Sequence, residues 1–104
     1  MEILFNVTTP LGRQVRTTER HWRDITTFKH PQLGGKLREV ELTLIDPDVI
    51  RRSRSDDDVY LHYRKIDKNI LCVVIRHING EGFVITAYFT RKEKEGIRIW
   101  QKEK

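Results

Sequence analysis

The chain holds one cysteine, one methionine and three prolines in 104 residues. A lone Cys72 cannot form a disulfide within the chain, so the fold must hold without covalent cross-links. That usage suits a reducing compartment, and a cytoplasmic protein is predicted. No apolar run approaches the ~18 residues that a spanning helix needs, so no membrane partner is expected. The opening residues, Met1-Glu2-Ile3-Leu4-Phe5-Asn6, carry no basic stretch, long apolar core or small-residue cleavage site, which predicts no signal peptide.

Several chemistries lack their signatures. His21, His30, His62, His77 and Cys72 are the candidate metal ligands, and no pair of them has the spacing of a zinc site. Asp56-Asp57-Asp58 lacks the glycine and downstream glutamate of a calcium loop. There is no phosphate-binding loop, no GxGxxG after a strand and no nucleophile-elbow serine. Neither a metal nor another cofactor is expected.

Charge is plentiful. Charged residues make up 34% of the chain, against about 25% in an average soluble domain. Twenty Lys and Arg oppose fifteen Asp and Glu, for a net +5, and arginine outnumbers lysine twelve to eight. The planar guanidinium fork matches phosphate oxygens, so a polyanion, nucleic acid above all, is the partner this balance favours. A solubilising surface explains the same composition equally well. The length predicts a single domain over residues 1–104, with no repeat and no linker.

The pattern then resolves into short elements. Ile3 to Thr8 and Gln14 to Thr17 read as a hairpin around Thr9-Pro10-Leu11-Gly12. Thr18 is an N-cap for a helix over Glu19 to Lys29, with Trp22, Ile25 and Phe28 as its core stripe. Pro31 ends it. Leu33, Leu37, Val40 and Leu44 form a second apolar stripe at helical spacing, with Gly34-Gly35 at the start of the helix and Asp46-Pro47 at its end. Strands follow at Val49 to Arg54, Val59 to Ile66, Ile70 to Ile78 and Phe83 to Thr90. Their turns are Ser55 to Asp58, Asp67 to Asn69 and Asn79 to Gly82. Ile97, Ile99 and Trp100 suit a short edge strand, ahead of a frayed tail from about Gln101. The predicted fold is α+β: an N-terminal β-hairpin and two helices packed on one face of a four-stranded antiparallel meander sheet. The other sheet face is expected to be uncovered, a natural binding surface.

Certain residues suit RNA chemistry without a metal. Lys29 and His30 sit at the corner after the first helix. Arg51-Arg52-Ser53-Arg54 is the most basic stretch. Tyr60, His62 and Tyr63, then Arg76 and His77, then Thr86, Tyr88 and Thr90 fall on successive strands about 4.8 Å apart, so they can gather on one patch. Cleavage by a 2′-hydroxyl needs proton transfer at two oxygens. It also needs fixed donors for the charge on phosphorus, and rings that stack on splayed bases. Each residue also has a plain role. His30 can simply interact with the helix C-terminus. Arg51 to Arg54 can decorate an edge strand, Thr and Tyr are ordinary strand residues, Cys72 suits the core, and Asp56 to Asp58 a solvated loop.

The ordered set resembles a known family. It comprises Lys29-His30-Pro31, Glu39-Val40, Thr43-Leu44, Pro47-Asp48-Val49-Ile50, Ser53 with Asp56, Tyr63, and Gly80-Glu81-Gly82-Phe83-Val84-Ile85-Thr86-Ala87-Tyr88 leading to Thr90. It is similar to the phage- and mobile-element-associated PBECR domains, named for phage, barnase, EndoU, colicin and RelE. The likeness runs from about His21 to Trp100. It implies helices on a four-stranded antiparallel sheet and a metal-independent ribonuclease of toxin or effector type, with RNA as substrate and an antitoxin or immunity protein as partner. Carried over, the family's helix histidine falls on His30 and its strand positions on Arg52, Ser53, Tyr63, Thr86, Tyr88 and Thr90. His62 departs from the aromatic expected before Tyr63 and would add a second acid–base group. The expected catalytic set is His30, Arg52, Tyr63, Thr86 and Tyr88; Lys29, Ser53, Arg54, His62, Arg76 and Thr90 would hold RNA or phosphate. The alternative is a catalytically inactive basic module of the same fold that binds RNA or protein.

Overall fold

The computed structural model describes residues 2–103. Runs rich in β-branched and aromatic residues form seven strands. They are β1 (Ile3–Thr8), β2 (Gln14–Thr18), β3 (Val49–Arg52), β4 (Val59–Ile66), β5 (Asn69–Ile78), β6 (Glu81–Thr90) and β7 (Ile97–Gln101). Between β2 and β3 lie helix α1 (Glu19–Asp24), a π-helical turn (Ile25–Lys29), a 3-10 turn (Pro31–Leu33) and helix α2 (Leu37–Ile45).

All seven strands share one mixed sheet, ordered β1-β2-β6-β5-β4-β3-β7. This corrects the four-stranded meander. The segment β3 to β6 forms the middle of a larger sheet. β2 joins β6 in parallel through Val15–Gly82 and Arg16–Phe83, and β7 pairs antiparallel outside β3. Local turn chemistry reports pairing between sequence neighbours only. These two pairings join segments far apart in the chain, wherever a strand edge is left open. Gln101 pairs with Val49, and Lys102 N–H donates to Asp48 O, so the chain end is tied rather than frayed there.

The helices cover one sheet face. Ile25, Leu33, Val40 and Leu44 are fully buried against Ile50, Leu71, Val73, Ile75, Val84 and Ala87. Each such side chain contributes roughly 1.5–3 kcal/mol by leaving water. Thr18 caps α1, its hydroxyl accepting from His21 N–H at 3.2 Å. The helix expected to run unbroken to Lys29 widens at Ile25, where His30 N–H reaches back five residues to Ile25 O at 2.8 Å. The wider turn carries Phe28 off the stripe. Phe28 is 80% exposed rather than part of the core.

The opposite face has its own cluster, Val49, Leu61, Tyr63 and Cys72, with Ile70, Val74 and Tyr88 against it. It is not bare. Residues 91–96 cross it as a strap from the end of β6 to the start of β7. The Tyr63 hydroxyl donates to Glu95 O at 3.3 Å, and the Arg51 guanidinium donates to Gly96 O at 2.8 Å. Arg51 and Arg98 both grip the Glu93 carboxylate. Gly96 is required where the strap meets β3: its φ is +88°, and a Cβ would stand 2.6 Å from Arg52 O. Among the described residues no helix is long and apolar enough to cross a membrane.

At Gly82, a Cβ would meet Gln14 O at 2.6 Å and the His77 ring at 2.9 Å. Both are held by the sheet, so Gly82→Ala should lose about 1–3 kcal/mol of stability in urea unfolding. His62 gives a second test. It is fully buried on the helix face, in a row with Ile50, Val73 and Ala87. Burial, with His77 adding to it, pushes its pKa down from 6.5 to about 3. The unfolded chain therefore binds a proton that the folded chain refuses. Stability should be full above pH 6.5 and fall with pH towards 3, by up to about 1.4 kcal/mol per pH unit from this group. His62→Leu should flatten the stability profile between pH 6.5 and 5; an unchanged slope would show that the imidazole is not held neutral.

Candidate functional site

Strand register arranges the strapped face in rows. Val49, Tyr63, Cys72 and Tyr88 form one; Arg51, Leu61, Val74 and Thr86 the next; Val59, Arg76, Phe83 and Arg16 the third. Side chains alternate between faces, so each row is one cross-section of the same surface. β6 carries an extra residue, Ile85, between the pairs Ile75–Val84 and Val74–Thr86. The bulge keeps Phe83, Thr86, Tyr88 and Thr90 on one side despite their uneven spacing.

The corner after the helix reaches this face around the sheet's edge. β2 pairs with β6 only at Gly82 and Phe83, so the rest of that edge keeps unpaired backbone groups. Lys29 takes one of them, donating from Nζ to Ile85 O at 3.4 Å. The next residue, His30, sets its ring 6.0 Å from that of Tyr88, centroid to centroid, at a tilt of 39°. His30, Lys29, Tyr88 and Thr86 thus come together from two distant segments. The Thr86 hydroxyl is buried without a hydrogen-bond partner among the described residues.

Beside Tyr88 lies a cleft of about 480 Å³. Its floor is Val59, Leu61 and Val74. One wall is Ser53-Arg54-Ser55, and the other is Tyr88 with Lys94-Glu95-Gly96 of the strap. Arg54, Lys94 and Glu95 are all exposed. The floor is apolar and the rim carries ions of both signs, with the cations in excess.

Cys72 lies between Tyr63 and Tyr88 in the first row, and burial pushes its thiol up to about 12. Burial, then the neighbouring Cys72, raises both phenols; the Glu95 charge raises Tyr88 further. Tyr63 and Tyr88 therefore remain protonated at neutral pH. They can donate hydrogen bonds and cannot act as bases.

The remaining expected residues are dispersed. Arg76 shares the face, but its guanidinium is paired with Asp56 at 2.9 Å. Ser53 Oγ accepts from Ser55 N–H at 3.2 Å and shapes its loop. Thr90 Oγ1 accepts from Lys92 N–H at 3.3 Å, at the strap's start. Arg52 and His62 fall on the helix side. Arg52 pairs with Tyr60, whose ring is in the helix-face core, and stands 3.9 Å from Asp57. His62 is sealed beneath the helices, so it corrects the expectation of a second acid–base group on the patch. Alternation decides both cases: Arg52 and His62 each follow a residue, Arg51 or Leu61, that faces the cleft side. Glu95 and Lys94 carry no motif in the sequence. They belong to a charged run, Arg91 to Glu95, and only the strap's path brings them to Tyr88. Among the described residues no three His, Cys, Asp or Glu side chains gather as a metal-ligating group.

No family model, no curated protein and no solved structure matches the chain.

The strap's anchor is testable. The Arg51 and Glu93 side chains are only 16% and 17% exposed. Glu93→Gln leaves Arg51 and Arg98 without their counter-charge and should lower stability by about 1–3 kcal/mol in urea unfolding, between the values for exposed and buried pairs.

Proposed function

We propose that the cleft binds single phosphodiesters of RNA and that the protein is a ribonuclease of toxin type cutting by 2′-hydroxyl attack. The observation that carries this reading is the His30 ring against Tyr88 beside a rim of Arg54, Lys94 and Glu95. A carboxylate and an imidazole flanking one tyrosine supply the two proton transfers that transesterification needs. The Glu95 carboxylate takes the 2′-hydroxyl proton as O2′ bonds to phosphorus. The P–O5′ bond breaks, and the His30 imidazolium gives its proton to the departing O5′. The products are a 2′,3′-cyclic phosphate and a 5′-hydroxyl. Lys29, Arg54 and Lys94 offset the charge that builds on the phosphoryl oxygens, and the protonated Tyr88 hydroxyl adds a neutral donor. The net charge of +5 favours the same partner at longer range.

A second reading is an RNA-binding module without catalysis. It is favoured by the burial of His62, which leaves His30 as the histidine placed beside the cleft.

Incubation of the purified protein with total RNA, with and without EDTA, separates these readings. The nuclease reading expects cleavage that EDTA does not slow, and no cutting of a strand whose 2′-hydroxyls are replaced by hydrogen. His30→Ala should lower the rate ~10²- to 10⁴-fold. Cleavage abolished by EDTA, or as fast in His30→Ala as in the parent, overturns the mechanism. Salt-sensitive binding in a gel shift without any cleavage supports the second reading.

A further inference from the structure

We infer that Phe28 is a stacking platform for an unpaired RNA base, which makes single-stranded RNA the ligand of the cleft; this rests on the RNA reading above. Phe28 is the most exposed large hydrophobic residue described, at 80%. Its helical spacing from Trp22 and Ile25 would carry it towards the core in an unbroken α-helix. The π-helical turn, closed by His30 N–H to Ile25 O, takes it out instead. Such insertions are frequent at functional sites. This one gives up the burial of a phenyl ring, and the same turn delivers Lys29 to the β6 edge and His30 to Tyr88. Phe28 is therefore covalently next to the exposed Lys29 and two residues from the imidazole. An exposed aromatic ring, with a cation supplied by the next residue and an imidazole two residues on, matches a base whose adjoining phosphate enters the site. In single strands, bases are free to splay onto aromatic side chains; in a duplex they are stacked and paired.

The test uses fluorescence anisotropy with a short, labelled 2′-O-methyl oligoribonucleotide, which cannot be cut, as a single strand and as a duplex. Phe28→Leu keeps an apolar side chain and removes the ring; Phe28→Trp keeps the stacking surface. Phe28→Leu should weaken single-strand binding ~10-fold with an unchanged salt slope, since no phosphate contact is lost. Phe28→Trp should bind within ~2-fold of the parent, and duplex binding should be the same in all three. Arg54→Ala should instead reduce the salt slope. If Arg54→Ala weakens binding while Phe28→Leu binds single strands as the parent does, the stacking role is overturned and the cleft reading stands. A parent that binds neither strand form overturns both.

Discussion

Two residue pairs, Val15–Gly82 and Arg16–Phe83, join the N-terminal hairpin to the rest of the sheet. Their small number matters as much as their presence. A longer β2–β6 ladder would occupy the edge of β6 and leave no place for the turn after α1. Because the ladder stops at Phe83, the edge carbonyl of Ile85 is free for Lys29, and the chain can bring His30 round to Tyr88. The junction tolerates no side chain at Gly82, where the Gln14 carbonyl and the His77 ring both close in. The parallel contact therefore connects the hairpin and sets how the helical layer meets the sheet.

The sheet separates two environments. On the helix side, His62 sits among aliphatic side chains with neither ring nitrogen partnered among the described residues, and burial keeps it neutral. On the other side, Tyr63, Cys72 and Tyr88 form a protonated row beneath the strap. The strap closes part of this face and furnishes part of the cleft. Glu93 pins it through Arg51 and Arg98, Gly96 lets it approach β3, and Lys94 and Glu95 become a wall. A short charged connection between β6 and β7 thus supplies both an anchor and a rim.

Much of the local structure was legible. The turn at Thr9 to Gly12, the Thr18 cap, the Pro31 corner and the Asn79-Gly80 reversal each have a short-range cause in turn or capping chemistry. Alternation along Val59 to Ile66 already separated Tyr63 from His62. A patch that holds both residues conflicts with that alternation, and the structure follows the alternation. Three-residue spacing places Phe28 in the core only if the turn is α-helical; the five-residue hydrogen bond at Ile25 changes the rotation and the outcome. Of the residues expected on one patch, His30 and Tyr88 adjoin, whereas Arg52 falls on the helix side.

By itself the sequence determined the strand runs and their turns, the alternation of faces along each strand, the absence of any internal disulfide and the basic balance, since these depend on residue type and on spacing over a few positions. Only the tertiary structure decided that the sheet has seven strands, that the strap crosses Tyr63, and that the histidine after the π-helical turn meets the tyrosine of β6. Those outcomes depend on which open strand edges and apolar faces find one another across the whole chain. Such long-range closure leaves no periodic trace in the residues that take part in it.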